Sequence, residues 1–204
     1  MKFLLASASP RRKELFSLIA PSFDVIVPDI DEIFRKELGV GPAVAAIASD
    51  KARRAFDLSE DSNSPHFVPD RKIIVAADTV VVSEKSVLGK PSSEDDARAA
   101  LKKLSGKVHS VITGVSLIAG DRGTIVSEDT FFEETFVEFF PLSSEEIERY
   151  IKTGEPFDKA GSYGIQGKGA LLIKGISGDY FNVVGLPVAR ISRKISDIIS
   201  GFEK

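Results

Sequence analysis

With 204 residues and 43% hydrophobic content, the chain has enough material for one generous domain. A formal charge of −3 and a pI near 5.5 provide no global attraction for nucleic acid or an anionic membrane, so a phosphate-bearing ligand has to be held by a local cluster. The absence of cysteine excludes a disulfide framework, a thiolate zinc site and a cysteine nucleophile, and it fits a reducing compartment.

The first residues lack the basic, apolar and small-residue order of a signal peptide. No apolar run approaches the roughly 18 residues of a spanning helix, so a soluble, cytoplasmic protein is expected. Phe3 to Ala6 reads as a buried strand, and Leu15, Leu18 and Ile19 recur at helical spacing, which places a strand-to-helix turn between them. Ser9-Pro10 marks that turn: serine suits the N-cap, and proline at the first helical position lacks only an N–H that would be unpaired anyway. Arg11, Arg12 and Lys13 crowd the helix end where the dipole disfavours cations. A solvated helix start competes at about even odds with an anion site, but the crowding calls for a negative partner. Together with Ser7 and Ser9, the outward amides of the first turn form a candidate phosphate cradle. It is not a Walker loop, because the glycine spacing and the Lys-Ser/Thr pair are missing.

Phe23 to Pro28 reads as a second strand, delivering the chain to the acidic turn Asp29-Ile30-Asp31-Glu32, whose simplest reading is a solvated turn. A strand end is also where α/β proteins place functional groups. From Pro42 to Leu58 the pattern is helical, and Lys51 falls within the apolar stripe four residues after Ile47. It can snorkel to the surface, the commoner outcome, or reach toward an anion. Residues 59 to 71 are polar and proline-punctuated and read as an exposed loop. His66 and His109 lack a second histidine at metal spacing and read as structural or surface residues.

Lys72 to Val82 is the most informative interior run. Its β-branched residues predict a central strand buried on both faces, yet Asp78 interrupts it. A buried carboxylate needs a cation, a metal or hydrogen-bond donors, and a functional role outweighs a structural salt bridge by about two to one. The turn at Val87 to Pro91 presents Lys90. Ser92-Ser93 caps a scaffolding helix that stops at Gly106, and Lys107 to Ala119 and Thr124 to Phe140 read as strands joined by Gly-Asp-Arg-Gly. Ser143 to Glu146 is a capping box, and the helix it opens ends at Gly154. Glu155 to Gly169 combines four glycines with Asp158, Lys159, Tyr163 and Gln166, the pattern of a loop whose backbone approaches something closely. Ala170 to Ile176 and Tyr180 to Val184 read as strands, and a last helix carries Ile191, Ile195, Ile198 and Ile199 on one side. No repeat or linker divides the chain, so residues 1–204 are expected to form a single domain of two lobes that share a sheet, with a groove between them.

Several ordered motifs resemble those of the Maf proteins from end to end: Ala6-Ser-Ala-Ser-Pro-Arg-Arg12, Ala77-Asp-Thr-Val-Val81, Leu88-Gly-Lys-Pro91, Thr113-Gly114, Asp158-Lys-Ala-Gly-Ser-Tyr-Gly-Ile-Gln-Gly167 and Asn182-Val-Val-Gly-Leu-Pro187. The resemblance implies a mixed, twisted α/β sheet flanked by helices, similar to inosine triphosphatases, with a cleft between two lobes. It also implies a cytoplasmic nucleoside triphosphate pyrophosphatase that yields a nucleoside monophosphate and pyrophosphate with a divalent cation, Mg2+ or Mn2+. A homodimer is among the assemblies it admits, and neither nucleic acid nor a membrane is expected as a partner. Carried over residue by residue, the proton acceptor falls on Asp78, the specificity positions on Arg11, Thr79 and Gln166, the acidic residue after the second strand on Glu32, and the cleft lysines on Lys51 and Lys90.

The Tyr-Gly-Ile-Gln-Gly sequence resembles the dTTP- and UTP-directed branch, whereas the branch acting on 7-methyl-GTP carries a glutamate at the position of Gln166. An amide offers a donor and an acceptor to a uracil or thymine edge. Glu32 and Asp78 are the expected metal ligands. Arg11, Arg12, Lys51 and Lys90 are expected to stabilise the leaving pyrophosphate. The competing reading is a regulator of septum formation that senses a nucleotide without cleaving it. Such a protein needs the phosphate cradle and Gln166 but has no use for two carboxylates arranged around a water.

Overall fold

The computed structural model describes residues 1–202 and is a mixed α/β protein. Its strands are β1 (Lys2–Ala6), β2 (Asp24–Ile26), β3 (Lys72–Ser83), β4 (Ser86–Leu88), β5 (Val108–Asp121), β6 (Thr124–Phe139) and β7 (Ile173–Ser177). Six α-helices are found among the described residues: α1 (Pro10–Ser17), α2 (Val40–Glu60), α3 (Glu94–Leu104), α4 (Ser144–Ile151), α5 (Tyr180–Val184) and α6 (Val188–Phe202). The strands form one sheet in the order β2-β1-β3-β5-β6-β7, with β4 paired to β3. β1 runs parallel to both β2 and β3, while β4 on β3 and β7 on β6 are antiparallel.

The chain divides into two compact units. The first comprises residues 1–78, 113–133 and 185 onward. Its core gathers Leu4, Ala6, Ile26, Ala52, Ala55, Phe56, Ile74 and Ile118, so β1, β3 and the apolar stripe of α2 close on one another. α2 packs closely enough that a Cβ at Gly114 of β5 would stand 2.4 Å from the backbone of Val44 and Ala45, so only glycine fits there. Lys72 is fully buried at the start of β3. It ties that strand to the end of α2 through Glu60 and Ser59 and to the following loop through the Val68 carbonyl.

The second unit comprises residues 79–112 and 134–184. Its core sets Ala97, Leu101 and Leu104 of α3 and Ile147, Tyr150 and Ile151 of α4 with Val111, Val137, Phe139 and Tyr163. Both helices start as their sequences predict. Ser93 accepts from the Asp96 amide, and Ser143 and Glu146 complete a reciprocal capping box.

Two expectations about secondary structure fail. Tyr180 to Val184 is a helix, because Asp179 accepts the Phe181 amide at 2.8 Å and turns the chain just where β-branched and aromatic residues suggest a strand. Ala170 to Leu172 belongs to a 3-10 turn, Gly167–Leu172, and β7 starts at Ile173. α1 also stops at Ser17, which leaves Leu18 largely exposed and puts Leu15 and Phe16 in the core.

Candidate active site

β3 carries Asp78 out of a run that is buried from Lys72 to Ala77. Its carboxylate, with 15% of the side chain exposed, meets the ammonium of Lys51 at 2.8 Å from Oδ1. The same Nζ lies 2.7 Å from Oε1 of Glu32. Lys51 does not snorkel. Its stem lies in the buried stripe of α2, its side chain is 11% exposed, and its charge is balanced by two carboxylates. Glu32 is 55% exposed, so the acidic turn reads partly as a solvated loop and partly as one wall of an ionic cluster open to solvent.

The start of α1 stands beside this cluster. Ser9 is the N-cap and accepts the Arg12 amide at 3.4 Å, and the buried Ser7 hydroxyl accepts the Ser9 amide at 3.2 Å. Both serines therefore use oxygens on the turn itself, and the Arg12 amide is not among the outward donors that the sequence suggested. The Arg12 side chain turns back, its Nε donating to the Gly185 carbonyl at 2.9 Å. Burial lowers the guanidinium below the ordinary arginine value. The negative charge of Asp78 opposes that shift, Arg11 adds to it, and Glu32 opposes it. The first unit thus brings together seven predicted residues: Ser7, Ser9, Arg11, Arg12, Glu32, Lys51 and Asp78.

The other three belong to the second unit. Thr79 follows Asp78 directly in β3, Lys90 lies exposed just past β4, and Gln166 is a half-buried residue at the head of the Gly167–Leu172 turn. Around Gln166, two residues stand out that the sequence reading left among core and loop positions. The Tyr150 hydroxyl accepts the Gly164 amide at 3.2 Å, and the Glu155 carboxylate accepts the amides of Lys168 at 3.1 Å and Gly169 at 3.3 Å. The signal available in the sequence was a carboxylate opening a segment dense in glycine amides.

The convergence of Glu32 and Asp78 on one cationic atom tests the expected divalent ion. Two carboxylate oxygens are the donor type that a hard cation such as Mg2+ or Mn2+ takes together with water and phosphate, and in this structure the Lys51 ammonium stands between them. Among the described residues no cluster of three or more His, Cys, Asp or Glu side chains that could hold a metal ion forms.

The sequence profile described as Maf-like protein matches residues 2–198. A Bacillus cereus protein named dTTP/UTP pyrophosphatase is 44% identical over 194 residues, covering 95% of this chain and 94% of its own. A protein of the same name from Bacillus cytotoxicus is 44% identical over 200 residues, covering 98% of this chain and 97% of its own. Among solved structures, a nucleoside-triphosphatase, dITP/XTP pyrophosphatase, from Mycobacterium abscessus aligns over 97% of this chain and 98% of that one, at 13% identity and a TM-score of 0.45.

Proposed function

The chain belongs to the Maf-like protein family, and from that premise we propose that it is a nucleoside triphosphate pyrophosphatase acting on dTTP and UTP. Water attacks the α-phosphorus, the bond from that phosphorus to the α,β-bridging oxygen breaks, and the products are a nucleoside monophosphate and pyrophosphate. The observation that carries this reading is the meeting of Glu32 and Asp78 on Lys51 beside two arginines: acids and bases gathered at one point suit a triphosphate and its counter-ion.

In this reading Glu32 and Asp78 would hold the divalent ion, magnesium or manganese, which would supply neutralisation of the phosphates and activation of water. Asp78 receives the proton of the attacking water on Oδ2, while Oδ1 stays on Lys51. Lys51 draws the two carboxylates together and fixes them. Arg11 and Arg12, at the positive end of α1, stabilise charge growing on the leaving pyrophosphate, and Lys90 is assigned the same task. Thr79 and Gln166 select the base, the Gln166 amide matching the carbonyl and N3–H of a pyrimidine. A single domain working in the cytoplasm, as a monomer or homodimer, completes the proposal. Among the described residues no helix is long and apolar enough to cross a membrane.

The decisive experiment is incubation of the purified protein with Mg2+ and a panel of dTTP, UTP, GTP, dITP and 7-methyl-GTP, with separate assays for pyrophosphate and orthophosphate. Pyrophosphate from dTTP and UTP in preference to the purines is expected. Binding without turnover would favour a nucleotide sensor, and orthophosphate alone would place the cleavage at the wrong bond.

A further inference from the structure

Gln166 sits in a segment held at both ends by side chains from outside it. On one side, the Gly164 amide donates to the Tyr150 hydroxyl of α4 at 3.2 Å. On the other, the amides of Lys168 and Gly169 donate to the two oxygens of Glu155, at 3.1 and 3.3 Å. The two anchors lie near one another, since the Glu155 charge bears on the Tyr150 phenol. Burial pushes the Tyr150 phenol up to about 12, so it remains protonated and able to donate at neutral pH.

Glu155 is itself fixed. Its amide donates to Thr153 Oγ1 at 3.1 Å, and its carbonyl accepts the Lys159 ammonium at 2.6 Å. Gly167, next to Gln166, has a φ of +68°, and a Cβ there would stand 2.9 Å from a Glu155 oxygen. The carboxylate therefore lies tight against the backbone immediately after Gln166. A charged acceptor on two amides is stronger than neutral pairings.

We propose that Glu155, with Tyr150, is a positioning residue for substrate selection: it clamps the backbone from Gly164 to Gly169 so that the Gln166 amide is presented in one orientation. This rests on the reading of Gln166 as the residue that selects the base. The physical reason is entropic as well as geometric. An amide on an unanchored glycine-flanked segment samples many orientations, and a base edge rewards one of them. Holding the segment beforehand places that ordering cost in folding instead of in binding.

The test compares Glu155→Ala, Glu155→Gln, Tyr150→Phe, Gln166→Ala and the double variant Glu155→Ala/Gln166→Ala. The readouts are kcat and KM for pyrophosphate release from UTP and GTP, and amide hydrogen exchange over residues 164–169. Glu155→Ala should cut the UTP-over-GTP preference about tenfold, chiefly through KM for UTP, as expected for two amides left without their charged partner. It should also speed exchange of the Lys168 and Gly169 amides. Glu155→Gln keeps one acceptor oxygen but loses the charge and turns a donor toward the second amide, so it should lose part of the preference, with Tyr150→Phe also intermediate. The double variant should be no less selective than Gln166→Ala alone, because the clamp acts through that side chain.

Unchanged preference and exchange in Glu155→Ala, beside a clear shift in Gln166→Ala, would overturn the clamp and leave the base-reading role intact. Additive losses in the double variant would overturn it as well. If Gln166→Ala left the substrate ranking unchanged, the base-reading role would fall and the clamp's link to selection with it. Should Glu155→Ala not fold, Glu155→Gln and Tyr150→Phe carry the same comparison.

Discussion

Lys51 holds Glu32 and Asp78 with one ammonium, and the two acids are unlike: Asp78 is mostly buried on a rigid strand, while Glu32 is mostly exposed on a loop. Their substitutions should therefore fail differently. Asp78→Asn keeps an acceptor for Lys51 and the same shape, so the thermal midpoint should move little while pyrophosphate release falls by at least about a hundredfold, the usual scale for losing a proton acceptor. Retained turnover would remove Asp78 from the chemistry. Glu32→Gln should instead move the Mg2+ titration to higher concentration with turnover restored at saturation, and an unshifted titration would count against ligation. Asp78 was legible in the sequence because an acid inside an apolar strand demands a partner. The identity of that partner was not, because helical spacing put Lys51 in the core stripe without saying whether its ammonium turned outward or in.

Helix α2 delivers that lysine, and its depth is set by Gly114. Gly114→Ala would drive a methyl into backbone at 2.4 Å, which no rotamer can relieve, so α2 has to shift. Overpacking of this kind costs about 1–3 kcal/mol, and urea unfolding should show it together with a loss of activity as Lys51 moves off its carboxylates. Ser143→Ala in the capping box of α4 supplies the contrast. It should cost about 1 kcal/mol in the same assay and leave kcat unchanged, since its effect is confined to helix stability. Element starts were the most readable feature of the chain, because a cap is a local contract between residues three apart. The helix at Tyr180–Val184 was misread for the matching reason: strand propensity is a weak preference, and the Asp179 side chain, with the buried Asn182 donating to the Val111 carbonyl and Thr135 hydroxyl, outweighs it.

At the scale of the whole molecule, acid stability should register His109. Burial pushes its conjugate acid from 6.5 down to about 4, and its Nε2 lies 2.7 Å from the Tyr163 hydroxyl in the core of the second unit. The unfolded chain takes up this proton near pH 6.5, whereas the folded protein resists until about pH 4. Stability attributable to this residue is thus full above pH 6.5 and declines as pH falls toward 4, by up to about 3 kcal/mol. Urea unfolding across that range should show the decline, and His109→Gln should flatten it. An unaltered slope would mean that other groups carry the acid sensitivity.

The sequence by itself determined the strand-turn-helix at the N-terminus, the buried strand around Asp78, the capped helices and the family, because each of these is written in short runs of residues whose chemistry acts locally. Only the tertiary structure decided that Lys51 bridges Glu32 and Asp78, that Ser7 and Ser9 serve their own turn, and that Glu155 and Tyr150 grip the segment bearing Gln166. Such contacts join residues far apart in the chain, or depend on which way a long side chain turns. Burial and the competition for hydrogen-bond partners settle both, and neither is a property of any single stretch.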